Sequence, residues 1–216
     1  MFLERSDIEA IDARIAAIEA ASGVEVVTAV VGKADAYPEL PWTAFALGAS
    51  LAALATVAAD ALRPDWAAAH ATLLTALAIL GAGGVGALAT VFVPAFARLF
   101  LRQTRRDAEV RQYARALFLE RELFRTPART GILILVSVFE RRIELLPDVG
   151  FGDRIGAADW QQVVARMTPQ LSAERPAAAL LAGLDVLADL LVRRGYEAGE
   201  RDANELPDRP VELKGE

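Results

Sequence analysis

Acidic residues gather in the stretch RRIELLPDVGFGDRIG, at positions 141–156. Its carboxylates belong to Glu144, Asp148 and Asp153. Calcium binds about six to eight oxygen ligands, so a few carboxylates complete a site only together with backbone carbonyls and water. The spacing differs from that of an EF-hand loop. One interpretation is therefore a site for calcium or another divalent cation at these three residues.

The neighbouring arginines allow an enzymatic interpretation of the same stretch. A phosphatase needs a nucleophile or two metal ions, together with cations that bind phosphate. Arg141 and Arg142 would supply the positive charge, and Asp148 would act as nucleophile or base. No motif assigns these roles, so the catalytic residues stay unknown. The absence of cysteine excludes thiol catalysis, and the single histidine, His70, excludes a multi-histidine metal site.

A structural interpretation explains the same residues, and we favour it. Glu140 would pair with Arg141 or Arg142 across a turn between two strands. Asp148 would cap a turn, and Asp153 would stand at the start of a helix. In this interpretation the stretch is a corner where a sheet continues into a helix.

Two apolar runs predict the strands that hold this stretch. GILILVSVF, at 131–139, is the first, and RRIELL, at 141–146, is the second. The short link between them predicts an antiparallel hairpin. The segment GAADWQQVVARMTPQL then predicts a helix. Its apolar side comprises Trp160, Val163, Val164 and Met167.

The N-terminal region predicts one helix and one strand. RSDIEAIDARIAAIEAAS has an apolar face opposite Glu9 and Glu19. Ser6, with Glu9 three residues later, indicates a capping box, and Gly23 ends the helix. VEVVTAVVG predicts a strand that is buried on both faces. The apolar face of the helix comprises Ile8, Ile11, Ile15 and Ile18.

Two more helices are predicted in the second half of the chain. TRRDAEVRQYARALFLERELFRTP has helical periodicity up to Pro127, which would end the helix. RPAAALLAGLDVLADLLVRRGYEAG predicts a helix from Pro176 to Gly195. The polar segment that follows predicts an extended or disordered tail.

Two long uncharged segments predict a membrane hairpin. Neither Leu40–Ala59 nor Trp66–Ala97 contains a charged residue. A helix needs about 20 apolar residues to cross the hydrocarbon core. Trp42 and Trp66 lie near the ends of the segments, where aromatic residues favour the membrane interface. The alternative is a buried helical hairpin in a soluble protein, and we favour the membrane.

Glycines and flanking charges refine this hairpin. The glycines at positions 81, 83, 84 and 86 predict close helix contact or a local bend, since no lysine follows to make a phosphate loop. Pro94 would kink the last turn or mark the exit from the membrane. Arg98, Arg102, Arg105 and Arg106 follow the second segment, which places both flanks in the cytoplasm and His70 as a solvated residue at the outer edge.

Neither flank can cover its strands alone, so we expect both to meet in one domain. The predicted fold class is α/β, a three-layer helix-flanked mixed sheet interrupted by a two-helix transmembrane hairpin. Residues 1–39 would form its first helix and strand, 40–97 the hairpin, 98–199 the remainder of the domain and 200–216 a polar tail.

Residues 104–212 contain several short motifs, namely Thr130-Gly131, Glu140-Arg141-Arg142, Asp148, Trp160 and the NELPD tail. In these motifs the chain resembles the TPM domain family. The resemblance implies a helix-flanked mixed sheet, with acid phosphatase activity in some members and calcium binding through acidic loops in others. Many members are exported and have one membrane helix after the domain. This chain differs, because its predicted hairpin lies inside the domain.

These observations predict a membrane-anchored TPM-like module that binds a protein partner and helps assemble or maintain membrane proteins. The alternative is a weak metal-dependent phosphatase that uses the acidic loop after the third strand. A net charge of −6 argues against nucleic acid as a partner, and membrane lipid is expected as one. We expect a multi-pass protein of the bacterial inner membrane with both termini in the cytoplasm.

Overall fold

A computed structural model describes residues 2–62, 71–198, 211–213 and 215. The chain divides into two compact units, and each is described by itself. The first comprises Met1–Asp35 with Arg106–Glu216, and the second is Ala36–Arg105. The α-helices in the described residues are α1 (Arg5–Ser22), α2 (Glu39–Leu62), α3 (Ala71–Phe92), α4 (Pro94–Arg98), α5 (Gln103–Glu120), α6 (Ala157–Ser172) and α7 (Pro176–Arg193).

A four-stranded mixed sheet forms the centre of the first unit. Its strands are β1 (Val26–Val31), β2 (Ile132–Ser137), β3 (Arg142–Pro147) and β4 (Val211–Leu213). The strand order is β3-β2-β1-β4. β1 runs parallel to β2 and to β4, while β2 and β3 form the predicted antiparallel hairpin. Every residue of β1 and β2 is buried, which confirms strands covered on both faces.

Helices cover both faces of this sheet. Because strand side chains alternate between faces, β1 and β2 each contribute to two apolar cores. The first core joins the strands to α1, α6 and α7, and it includes Ile15, Val30, Ile134, Met167 and Leu184. The second joins them to α5, and it includes Val27, Ala29, Val110, Ala114 and Leu133. The predicted three-layer, helix-flanked mixed α/β sheet is therefore confirmed.

The start of α1 differs from the prediction, whereas Gly23 ends the helix as predicted, with a left-handed φ of 65°. The Ser6–Glu9 capping box is wrong, because the helix already begins at Arg5 and the Glu4 N–H donates to the Asp7 carboxylate at 2.9 Å. Glu19 was predicted on the solvent face but is buried, because its Oε1 accepts the Val26 N–H at 2.9 Å. The carboxylate thereby fixes the entry from α1 into β1.

The ends of the other helices follow local backbone geometry. α5 ends at Glu120, so Pro127 does not terminate it as predicted. The chain turns instead at Glu122, whose φ of 52° lies in the left-handed region, and continues as a short 3-10 helix. α7 begins at Pro176 as predicted, and Gly195 follows its end with a φ of 71°. The sequence did not predict β4 inside the polar tail.

The second unit contains α2 and α3, two helices that are long and apolar enough to cross a membrane. No residue in the most apolar 18-residue window of α2 is buried, and only 11% of that window in α3 is. α3 ends at Phe92, and Pro94 begins the short helix α4. Trp66 and His70 lie outside the described residues, as does most of the predicted tail.

Small residues allow α2 and α3 to approach each other closely. A Cβ on Gly48 would lie 2.6 Å from the Ala82 carbonyl oxygen, and one on Gly86 would lie 2.8 Å from that of Ala44. A Cβ on Gly83 would meet the ring of Phe45 at 2.7 Å. Close helix contact is therefore confirmed at positions 83 and 86. A Cβ on Gly81 or Gly84 would meet nothing within 4 Å, so these two glycines do not serve that contact.

Candidate functional site

An open groove runs along the free edge of β3 and has a volume of about 750 Å³. β3 is an outer strand of the sheet, so no described strand pairs with this edge. The beginning of α5 contributes one wall through Arg106 and Arg111. α6 contributes the opposite wall, which includes Trp160 and Val164. The groove is thus a slot between two helices with a strand edge at its base.

Arginines dominate the charged residues of the groove. Arg106, Arg111, Arg141 and Arg142 all line it, and Glu144 is the acidic residue among the lining side chains. The Glu144 side chain is 11% exposed. Its Oε1 accepts Arg111 Nε at 3.2 Å, and Arg142 approaches its other oxygen at 3.9 Å. Glu144 therefore pairs with Arg111, whereas Arg142 lies nearer to Asp107, at 3.4 Å, and Arg106 pairs with the same carboxylate.

Asp148 caps the turn after β3, as the structural interpretation predicted. It is the N-cap of a 3-10 helix, Val149–Arg154, and accepts the Val149 N–H at 2.8 Å. Arg129 donates to both carboxylate oxygens, at 2.6 and 3.0 Å. Burial alone would raise the pKa of Asp148, but the hydrogen bonds from Arg129 and Val149 and the charge of Arg129 outweigh it and lower the pKa.

Asp153 lies on the exposed side of the same 3-10 helix. The prediction that it stands at the start of the following α-helix is wrong, because α6 has Gly156 as its N-cap. Asp159 has that role instead, since it accepts the Gly156 N–H at 3.0 Å and Arg194 at 2.6 Å. The hydrogen bond from Arg194, and then that from Gly156, lowers the pKa of Asp159.

Glu140 also has a different role from the predicted one. It does not pair with Arg141 or Arg142, but is 1% exposed and accepts the Ala34 N–H at 2.9 Å. The Ser137 hydroxyl donates to its other oxygen. Glu140 thereby ties the β2–β3 turn to the segment that follows β1. Arg141 pairs instead with Glu174, at 2.6 Å.

Two of the predicted metal ligands, Glu144 and Asp148, pair with different arginines. Among residues 2–62, 71–198, 211–213 and 215, no group of three or more His, Cys, Asp or Glu side chains is arranged to hold a metal ion. A cation at Glu144, Asp148 and Asp153 would have to draw the first two away from their arginines. Calcium or another divalent cation at this place stays a prediction.

The fold and the groove define a class: a small α/β domain with a mixed sheet, into which an apolar helical hairpin is inserted after the first strand. A sequence model described as the TPM domain matches residues 67–190. The chain belongs to the TPM domain family. The search of curated proteins gave no match.

The fold is also similar to a solved structure, that of the BA42 protein from the psychrophilic bacterium Bizionia argentinensis. The superposition has a TM-score of 0.59 and covers 98% of this chain and 96% of the other. Only 13% of the residues are identical, so the similarity concerns the fold alone.

Proposed function

We propose that this protein is a membrane-anchored TPM module that binds a protein partner and serves the assembly or maintenance of membrane proteins. The observation that carries the proposal is the exposed apolar surface of α2 and α3. Leu54 is 67% exposed, Leu80 61% and Val91 63%. Covering one such side chain is worth about 1.5–3 kcal/mol, so a surface with many of them favours lipid over water.

The flanking charges support one orientation of the hairpin. Four arginines follow α3 within 14 residues of its end at Phe92, namely Arg98, Arg102, Arg105 and Arg106. Arginine-rich flanks stay on the cytoplasmic side, where they also attract anionic lipid. We infer a bacterial inner membrane protein with both termini in the cytoplasm. A reporter enzyme that works only in the cytoplasm should be active when it is fused after Glu216. Activity of a reporter that works only in the periplasm would contradict the orientation.

Partner binding is supported by the groove, which offers apolar and charged groups to a ligand. Gln161 lines it, whereas its neighbour Gln162 is exposed and lies outside the lining. A photo-crosslinking residue at position 161 in the membrane-embedded chain should form an adduct with a membrane protein. The same residue at position 162 is the matched control. Equal amounts of adduct at both positions, or no adduct at either, would contradict the assignment of the groove to partner binding.

The arginines of the groove support a second candidate, a weak metal-dependent phosphatase, whose proposed nucleophile or base Asp148 follows Pro147 and lies outside the lining. Asp148 would have to release Arg129 before it could act as nucleophile or base. The purified chain and Asp148→Ala should be assayed with a phosphomonoester and several divalent cations. Activity lost in the variant would support this candidate. Activity that survives in the variant would show that Asp148 takes no part in the reaction. No activity of the wild-type chain with any cation would leave the binding module as the proposed function.

A further inference from the structure

We propose that the groove binds an extended, acidic segment of a partner protein, which adds as a further strand to the free edge of β3. This inference rests on the proposed function as a binding module and names the chemistry of its partner. Three independent features carry it: the free backbone groups of β3, the two walls of the groove and the distribution of charge.

The register of the β2–β3 hairpin determines which backbone groups face the groove. The Asp148 N–H donates to the Gly131 carbonyl at 2.9 Å, and Leu146 lies opposite Leu133. In an antiparallel pair, the residues whose backbone bonds reach the partner strand alternate with residues whose bonds point away. Ile143 and Leu145 therefore direct their N–H and C=O groups toward the free edge.

The position of the proline at the end of β3 agrees with this alternation of backbone groups. Pro147 is two residues beyond Leu145, so it also takes an outward position. Its missing N–H therefore removes no hydrogen bond to β2. An added strand finds two N–H donors, at Ile143 and Leu145, before the proline ends the free edge. These two N–H groups can bind a short extended segment, and the proline offers no further donor at its end of the strand.

The two walls predict which side chains the added strand presents. Ile143 and Leu145 direct their side chains into the core that includes α6, on the side of Trp160 and Val164. Arg142 and Glu144 have the opposite direction and contact residues of α5. Side chains on an added strand must alternate in the same way. The segment would therefore place apolar residues toward α6 and acidic residues toward α5.

Charge selects the acidic class of partner. The lining contains four arginines against one glutamate, in a chain whose net charge is −6. From outside the lining, Asp107 pairs with Arg106 and Arg142, and Glu174 pairs with Arg141, so acidic side chains of a partner would take the place of carboxylates of this chain. A second copy of this chain would bring two sets of arginines together, and like charges oppose such contact. A free phosphate or a lipid headgroup would engage the arginines but leave the Ile143 and Leu145 backbone groups unused. An extended acidic peptide uses both features.

The test uses the full chain in detergent micelles and a fluorescein-labelled peptide of four Glu-Val repeats. We expect saturable binding that weakens by about tenfold or more in the double variant Arg106→Glu, Arg141→Glu. The matched control is Arg115→Glu, Arg166→Glu, which reverses two exposed arginines of α5 and α6 outside the lining and should bind as wild type does. Melting temperatures of both variants confirm that they are folded.

Backbone involvement is tested separately. On peptide binding, amide hydrogen exchange should slow at Ile143 and Leu145, and a peptide with alternate N-methylated amides should lose binding. Equal binding of the N-methylated peptide would overturn strand addition. So would full competition by inorganic phosphate or by phosphatidylglycerol vesicles, since the groove would then be an anion site. Self-association abolished by the groove variant would also overturn the proposal in favour of a second copy.

The outcomes separate this inference from the proposed function. If position 161 captures a membrane protein but the Glu-Val peptide does not bind, strand addition fails and the binding module stands. If the peptide binds but the chain is released from membranes by alkaline carbonate, the membrane anchor fails and the groove assignment stands.

Discussion

Leucine, isoleucine and valine have opposite environments in the two units of the chain. In β2 the five residues Ile132–Val136 are all 0% exposed, because helices cover both faces of the sheet. In α2 and α3 the same residue types are largely exposed, as at Leu54 and Leu80. The first unit supplies its own apolar cover, whereas the second presents its apolar surface outward. The excess of apolar residues in the composition is therefore concentrated where the chain does not bury it.

The hydrogen-bond partners of buried polar groups also differ between the two units. The α/β unit buries carboxylates whose partners are distant in sequence, such as Glu140 with the Ala34 N–H. In the hairpin, the buried hydroxyl of Thr90 donates to the Ala87 carbonyl of its own helix, at 2.7 Å. A helix in lipid must satisfy its polar groups internally, since no water is present to do so. The comparison predicts different responses to the same kind of substitution in each unit.

The largest expected effect comes from a charge on the outer face of the hairpin. Leu80 lies near the middle of α3 and is 61% exposed. If that face contacts lipid, Leu80→Arg should disfavour insertion by about 3–4 kcal/mol, because an arginine at mid-span is poorly solvated. The measurement is the fraction of the protein that stays in membranes after alkaline carbonate extraction.

A leucine of equal exposure in the other unit provides the control. Leu119 on α5 is 63% exposed, and Leu119→Arg should leave membrane retention unchanged because Leu119 lies outside the two helices that are long and apolar enough to span a membrane. If both variants remain in the membrane equally, the outer face of the hairpin does not contact lipid, and the contrast between the units loses its explanation.

The next effect concerns a buried carboxylate of the α/β unit. Glu140→Ala leaves the Ala34 N–H and the Ser137 hydroxyl without their acceptor. Buried polar groups left unpaired should lower the free energy of unfolding by about 2–3 kcal/mol. Glu120→Ala, at an exposed position of α5, should change it little. Thermal unfolding followed by tryptophan fluorescence measures both, and equal melting temperatures for the two variants would contradict the role of Glu140.

A smaller effect is expected at the contact between α2 and α3. A Cβ on Gly48 would lie 2.6 Å from a backbone oxygen of the neighbouring helix, so Gly48→Ala should destabilise the hairpin by about 1–3 kcal/mol. Gly84 has open space around it, and Gly84→Ala should stabilise the helix by about 0.5–1 kcal/mol. Unfolding in increasing sodium dodecyl sulfate should rank the two variants on opposite sides of wild type. The same sign for both would show that the helices do not meet at Gly48.

Local patterns in the sequence predicted the elements whose cause is local. The apolar runs of β1 and β2 indicated strands covered on both faces, and Pro176 indicated the start of α7. The lack of charge from Leu40 to Ala59 and throughout α3 likewise identified the hairpin. In each case the residue types within one segment of the chain are enough to indicate its secondary structure.

Features that depend on distant residues could not be predicted in this way. β4 has three residues and exists because it pairs with β1, about 180 residues earlier in the chain. Glu19 and Glu140 resemble ordinary surface glutamates, since their partners Val26 and Ala34 contribute only backbone N–H groups. The groove was missed for the same reason, because α5, β3 and α6 meet only in the folded unit.

The smallest effect is a pH dependence that only the α/β unit should show. Hydrogen bonds from Arg129 and Val149 lower the pKa of Asp148 below its unfolded value, so the unfolded chain binds a proton first on acidification. The ion pair therefore stabilises the fold above pH about 4, and this contribution is lost as the pH falls through the folded pKa. The gap in melting temperature between wild type and Asp148→Asn should narrow below that pH.

Asp153→Asn removes an exposed carboxylate from the same 3-10 helix and should follow the wild-type curve. A constant gap for Asp148→Asn would show that Asp148 stabilises the turn as an N-cap alone, without a contribution from its charge.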